Sequence, residues 1–260
     1  MPVVEACEWG SRLRFCAPPR VVEQFYREFS ERVEPFILYG SGDYHYLSAL
    51  WLRRVDRPFL LVSFDNHPDW DIRPPKWACG GWINRALELE QLRHVAIWGC
   101  GNFECWWPHN IFANRWAQRD GKLEVHPWAD DRPMNDRQRP NSILRDNWRA
   151  HFEKFAADLR GANVYVTIDM DCLRADQAIT NWENGQFTVG DLEWALSKLR
   201  EHNPIIAGDI CGAYSEPKYA RWKQKFASNW DHPKFDLPPV DQVKKINLAT
   251  LERLWPALTD

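Results

Sequence analysis

The chain has no surplus of basic residues: 33 Lys and Arg stand against 36 Asp and Glu, a formal charge of −3. A protein that grips nucleic-acid phosphates carries a basic face, so no nucleic-acid partner is expected. Long apolar runs are also missing, and none approaches the length of a membrane span. Residues 1–20 hold charges and prolines where a signal peptide needs an apolar stretch, so a reducing cytoplasm is the expected location and no membrane association is expected. The seven cysteines are odd in number and contain no Cys-x-x-Cys pair, which argues against a disulfide framework and a structural zinc site. Gly99-Cys100-Gly101 lacks the full glycine pattern of a phosphate loop. There is no internal repeat, low-complexity tract or linker.

What the chain does have is apolar material and two short acidic strings. Hydrophobic residues make up 45% of its 260 positions, enough for a sizeable core, and residues 1–260 are expected to form one α/β domain. Apolar runs at Phe36–Gly40, Phe59–Phe64, Val95–Trp98, Val164–Ile168 and Ile205–Gly208 read as strands, with Leu123–Val125 as a short one. Helical spacing recurs in Tyr44–Arg54, Gly81–Glu90, Ser142–Leu159, Thr188–Arg200, Tyr219–Phe226 and Val240–Leu254, with Thr188 as an N-cap. Residues 110–139 are polar and contain prolines, and are expected to be an irregular surface excursion. Apolar strands alternating with helices imply a mostly parallel sheet covered on both faces. Sites in such sheets form beyond the carboxyl ends of the strands.

The acidic strings sit at such ends. Asp65-Asn66-His67-Pro68-Asp69 follows the second strand, and Asp169-Met170-Asp171 follows Val164–Ile168. In extended chain, alternate residues point the same way. Asp65, His67 and Asp69 can therefore converge on one point, and Asp169 with Asp171 on another. Helix capping or turn chemistry would explain Asp169 and Asp171 taken alone. Two acidic strings at two strand ends crowd enough negative charge to call for a cation. The oxygen-rich set suits hard or borderline divalent ions such as manganese, with zinc or iron open. A bridged metal pair would lower the pKa of a shared water and hold the hydroxide for attack on carbon or phosphorus. His45, after the turn Gly40-Ser41-Gly42-Asp43-Tyr44, is a sixth candidate ligand.

In order and spacing, Gly40 to His45, Asp65 to Asp69 and Asp169 to Asp171 resemble the arginase (ureohydrolase) family of the arginase/deacetylase superfamily. That resemblance implies a three-layer α/β/α fold, two Mn2+ ions and hydrolysis of a guanidino- or amidino-type C–N bond in a small-molecule substrate. It also implies that Asp65 and Asp169 bridge both metals, that His45 and Asp69 complete one site, and that His67 and Asp171 complete the other. Homo-oligomers are common among such relatives.

Two departures stand out. Cys79 occupies the place of the family's catalytic histidine, so Cys79 and Asp171 are the candidates for carrying the proton. Gly212 occupies the place of its guanidinium-binding glutamate. Asn66, Asp209 and Glu216 are the remaining candidates for substrate contact. Trp70, Trp77 and Trp82 suggest an aromatic wall to the pocket. A metal-dependent amide deacetylase, or a metal-binding scaffold that has lost its chemistry, are the alternative functions.

Overall fold

A computed structural model describes residues 2–234 and 236–260. Among the described residues six strands form one sheet: β1 (Phe36–Leu38), β2 (Phe59–Phe64), β3 (Leu92–Cys100), β4 (Leu123–Pro127), β5 (Val164–Asp169) and β6 (Ile205–Cys211). Their order is β1-β6-β5-β2-β3-β4, and every pairing is parallel. Alternation along the strands supplies two cores. Leu61, Val95, Ile97 and Tyr165 pack on one face with the helices Cys7–Leu13 and Pro19–Phe29 and the helical turns of residues 42–54. Val62, Phe64, Trp98, Val166 and Ile168 pack on the other with the helices Trp148–Asp158, Val189–His202 and Val240–Thr259. The architecture is the expected α/β/α sandwich.

The sheet order places the site. β5 and β2 are central neighbours, and Phe64 pairs with Ile168. The residues that follow, Asp65 and Asp169, therefore leave the sheet side by side at its carboxyl edge. β6 lies on the far side of β5, and the helical turn Gly42–Leu47 after β1 brings His45 over the same edge.

Several boundaries differ from expectation. β6 extends through Asp209 to Cys211, so Asp209 lies inside a strand and not after it. A buried carboxylate is tolerated there because hydroxyls donate to it, from Tyr165 at 2.5 Å, Thr167 at 2.7 Å and Ser48 at 3.1 Å. Residues 110–139 are not a structureless excursion: they supply the helix Arg115–Arg119, the edge strand β4 and the helix Met134–Arg137. The helix expected from Ser142 begins at Trp148, and that expected over Gly81–Glu90 shrinks to Ile83–Ala86.

Candidate metal centre

The six expected ligands come together at the carboxyl edge of β2 and β5, and all are buried or nearly so. His45 Nδ1 lies 3.1 Å from Asp65 Oδ2 and 3.5 Å from both Asp69 Oδ2 and Asp169 Oδ2. His67 Nδ1 lies 2.9 Å from Asp171 Oδ2 and 3.7 Å from Asp65 Oδ1. Two triads with metal-ligand spacing result, His45/Asp65/Asp69 and Asp65/His67/Asp171, with Asp65 in both. A third combines His45 and Asp169 with Cys211.

Local structure aims each group. Asp69 sits in the left-handed region at φ 44°, which Asp tolerates better than most residues, and its Oδ2 accepts the Trp82 indole N–H at 2.6 Å. Asp171 Oδ1 accepts the Asn66 backbone N–H at 3.0 Å. The backbone N–H of Asp171 donates to Asp169 Oδ1 at 3.1 Å, and that of His67 to Asp65 Oδ1 at 2.7 Å. Behind His45 runs a relay. Thr167 gives its hydroxyl proton to Asp209, so its oxygen is left to accept from His45 Nε2, 2.9 Å away. In that tautomer the Nδ1 lone pair faces carboxylate acceptors only, and among the described residues no donor reaches this buried nitrogen. On the other histidine, Nε2 lies 3.4 Å from Glu183 Oε2.

The electrostatics show a cluster short of positive charge. Burial and the charge of Asp65 push Asp69 up to about 7. Burial and Asp171 hold Asp169 well above the carboxylate range, and burial also raises Asp171. For His45, burial is outweighed by Asp65 and Asp69, and for His67 by Asp171, so both imidazoles are driven toward the protonated form. Asp65 goes the other way: burial would raise it, but His45 and His67 together hold it below its usual value. Divalent cations would replace these protons and satisfy the same oxygens. The buried donors, the unpartnered imidazole nitrogen and the shared carboxylate fit such ions.

The cluster forms the floor of a cleft of about 260 Å³. Its walls hold residues that sequence reasoning missed: Glu104, Glu183, Asp231, Trp182 and Trp230. Single acids and tryptophans on loops carry no spacing signal. Cys211 did carry one, since it stands two residues beyond Asp209 on the same strand. Among the described residues no Lys or Arg lines the cleft; buried Arg14 pairs instead with Asp43 at 2.6 Å. Cys79 is in the cleft wall, and burial with Asp43 and Asp69 pushes its thiol well up. Asn66 is buried behind Asp171, and its side chain donates to the Glu183 carbonyl and accepts from the Gly101 N–H. Asp209 faces the hydroxyl relay and does not line the cleft. Glu216 is 76% exposed beside Lys218 and is also absent from the lining. Trp70, Trp77 and Trp82 are packed in the core, so the aromatic wall is formed by Trp182 and Trp230.

No family model matches the chain. An uncharacterized protein of Thermotoga maritima is 32% identical over 221 residues, covering 83% of this chain and 66% of that one. Among solved structures, the arginase of Medicago truncatula superposes with a TM-score of 0.53 at 16% identity, covering 92% of this chain and 63% of that one. A Trypanosoma cruzi formiminoglutamase variant with Mn2+ gives 0.51 at 14% identity, covering 81% and 64%. The chain thus spans a little under two thirds of the length of each. These likenesses show that the chain has the arginase fold, as the acidic strings suggested.

Proposed function

We propose that this chain is a divergent ureohydrolase that holds two divalent ions and hydrolyses a C–N bond of a small guanidino- or amidino-type cation. The observation that carries the reading is the convergence of His45, Asp65, His67, Asp69, Asp169 and Asp171 into overlapping ligand triads. Asp65 and Asp169 would lie between the ions, His45 and Asp69 would complete one position, and His67 and Asp171 the other. Manganese, named with one of the structures of like fold, is the first candidate. Bound there, such ions would supply Lewis acidity and would make the attacking water more acidic.

The protein's own side chains do the rest. Glu104, Glu183 and Asp231 place three further carboxylates around a cleft that no described Lys or Arg lines, which favours a cation and disfavours a carboxylate-bearing molecule. Trp182 and Trp230 offer aromatic faces to the same cation. Hydrolysis puts the oxygen of water on the substrate carbon, and the departing nitrogen takes up a proton. Asp171 is taken up as a ligand, with its other oxygen accepting from the Asn66 N–H, and burial pushes the Cys79 thiol so far up that it is too weak an acid to give up a proton. Glu104 and Asp231, which burial raises above their usual values, are the remaining wall carboxyls able to hold that proton, and we assign it to Glu104. Seven free cysteines suit a reducing compartment.

The deciding experiment is elemental analysis of protein purified without chelator, followed by assay of the metal-replete chain against guanidino, amidino, formimino and acylamine compounds. About two ions per chain and turnover of a cationic guanidino or amidino compound are expected. Turnover confined to acylamines would replace this reading with a deacetylase, and metal binding without turnover of any compound would leave a binding scaffold.

A further inference from the structure

A seventh side chain stands beside the six. Strand register pairs Asp169 on β5 with Cys211 on β6. Paired residues of neighbouring strands project to the same face of a sheet, so the carboxylate and the thiol leave it together. Cys211 Sγ lies 3.5 Å from Asp169 Oδ2, and the residue is only 1% exposed. His45 Nδ1 lies 3.5 Å from the same carboxylate oxygen. The donor atoms of His45, Asp169 and Cys211 all fall within 4.8 Å of one another. The imidazole nitrogen in that group is buried and, among the described residues, unpartnered. Asp169 is held in this orientation by the Asp171 backbone N–H, which donates to its other oxygen at 3.1 Å.

A buried cysteine usually serves as a small apolar filler. The surroundings of Cys211 argue otherwise. Its Sγ faces a carboxylate and an open imidazole nitrogen, both already assigned to an ion. We propose that Cys211 is a thiolate ligand to the metal ion held by His45 and Asp169, which makes the centre chemically unequal at its two positions. The proposal rests on the metal-hydrolase reading above. On binding, the S–H bond breaks, its proton leaves to solvent, and sulfur donates an electron pair to the ion with no change of oxidation state. A thiolate favours zinc, ferrous iron or cobalt(II) over manganese. The position built from His67 and Asp171 offers only nitrogen and oxygen, and remains suited to a harder ion.

The test uses the full chain loaded with zinc or with cobalt(II). Zinc X-ray absorption is expected to show a sulfur scatterer at about 2.3 Å. The cobalt form is expected to show a thiolate-to-metal charge-transfer band in the near ultraviolet, lost in Cys211→Ser and kept in Cys79→Ser. In competition, the wild type should hold one zinc against excess manganese, and Cys211→Ser should shift that preference by roughly tenfold or more toward manganese. Two bound ions with only nitrogen and oxygen scatterers and no such band would overturn the role of Cys211 while leaving the metal centre standing. Failure to bind any metal would overturn both. The zinc measurement is repeated on Cys79→Ser, where the sulfur scatterer should persist, so it decides the role of Cys211 even where the Cys211→Ser variant fails to fold.

Discussion

Gly212 and Asp169 are in such close contact that a Cβ built on the glycine would lie 2.2 Å from Asp169 Oδ1. It would also lie 2.4 Å from the Met170 backbone nitrogen, and the residue has φ 105°, a conformation L side chains rarely adopt. The place where the arginase resemblance puts a guanidinium-binding glutamate is therefore closed to any side chain in this fold. Gly212→Ala should cost about 1–3 kcal/mol in backbone strain and displace Asp169 from the cluster. Thermal unfolding with and without added metal checks the first part, and metal content the second. Gly212→Glu should lose metal rather than gain arginine hydrolysis. An alanine variant with unchanged melting temperature and full metal content would refute the argument.

The relay behind His45 makes a separate prediction. Thr167→Val removes the hydroxyl that accepts from His45 Nε2 and donates to Asp209, while keeping size and β-branching. The imidazole then loses the partner that fixes its tautomer. Outer partners of this kind are worth roughly 10–100-fold in metal affinity, so isothermal titration should show weakening at one of two positions and little change at the other. Asp65→Ala, which removes the group shared by both triads, should abolish both binding events. Equal weakening of both sites by Thr167→Val would contradict the placement of His45.

Much of this is legible in the sequence, for a physical reason. β2 and β5 are largely apolar and buried along both faces, so their runs and the acids that end them stand out from the surrounding pattern. The ligand strings are recognisable because spacing of two in extended chain puts side chains on one side. The full length of β6 is hidden because Asp209 looks like a terminator, and hydroxyls remote in sequence, those of Tyr39, Tyr165, Thr167 and Ser48, let it sit inside the strand. The cleft walls are hidden for the same reason. Glu104, Glu183 and Asp231 come from three separate segments and meet only when the sheet is assembled. Trp70, Trp77 and Trp82 lie near the ligands in sequence, which suggests a wall, yet the fold packs them underneath it.

Stability away from the centre should depend on Asp191. Thr188 and Asp191 form a capping box at the start of Val189–His202, and Asp191 also accepts from Arg145 and Arg149. Burial alone would raise the Asp191 carboxyl, but the bonds from Thr188 and the two arginines outweigh it and hold it below its usual value. A depressed folded-state pKa means that the contribution is complete above the unfolded value of about 4 and is lost as pH falls through the folded value. Asp191→Ala should therefore cost about 1–2 kcal/mol at neutral pH, the usual worth of a cap. Chemical denaturation across pH should show the gap to wild type closing below about pH 4. A gap that stays constant from neutral pH into that acid range would show that ionisation of Asp191 contributes nothing.

The charge of the cleft sets which molecules can enter it. Asp231 lies in the wall beside Trp230, at the end of the helix Trp222–Asp231, and belongs to none of the ligand triads. A cationic substrate passing within a few ångströms gains at least about 1 kcal/mol from such a carboxylate in a water-like medium, and more where water is excluded. Asp231→Asn should then raise KM for the best cationic substrate of the panel roughly fivefold with kcat little changed, because the interaction is made equally in ground and transition states. The difference should shrink as salt is added. Glu104→Gln should instead lower kcat, since its assigned task is to give up a proton, and Cys79→Ala should change kcat by less than about tenfold because a thiol pushed so far up is too weak an acid to serve as the donor. Steady-state kinetics of the three variants against wild type at two ionic strengths separates these outcomes. An unchanged KM in Asp231→Asn, or faster turnover of carboxylate-bearing guanidino compounds than of their amines, would show that the acidic wall does not select the substrate.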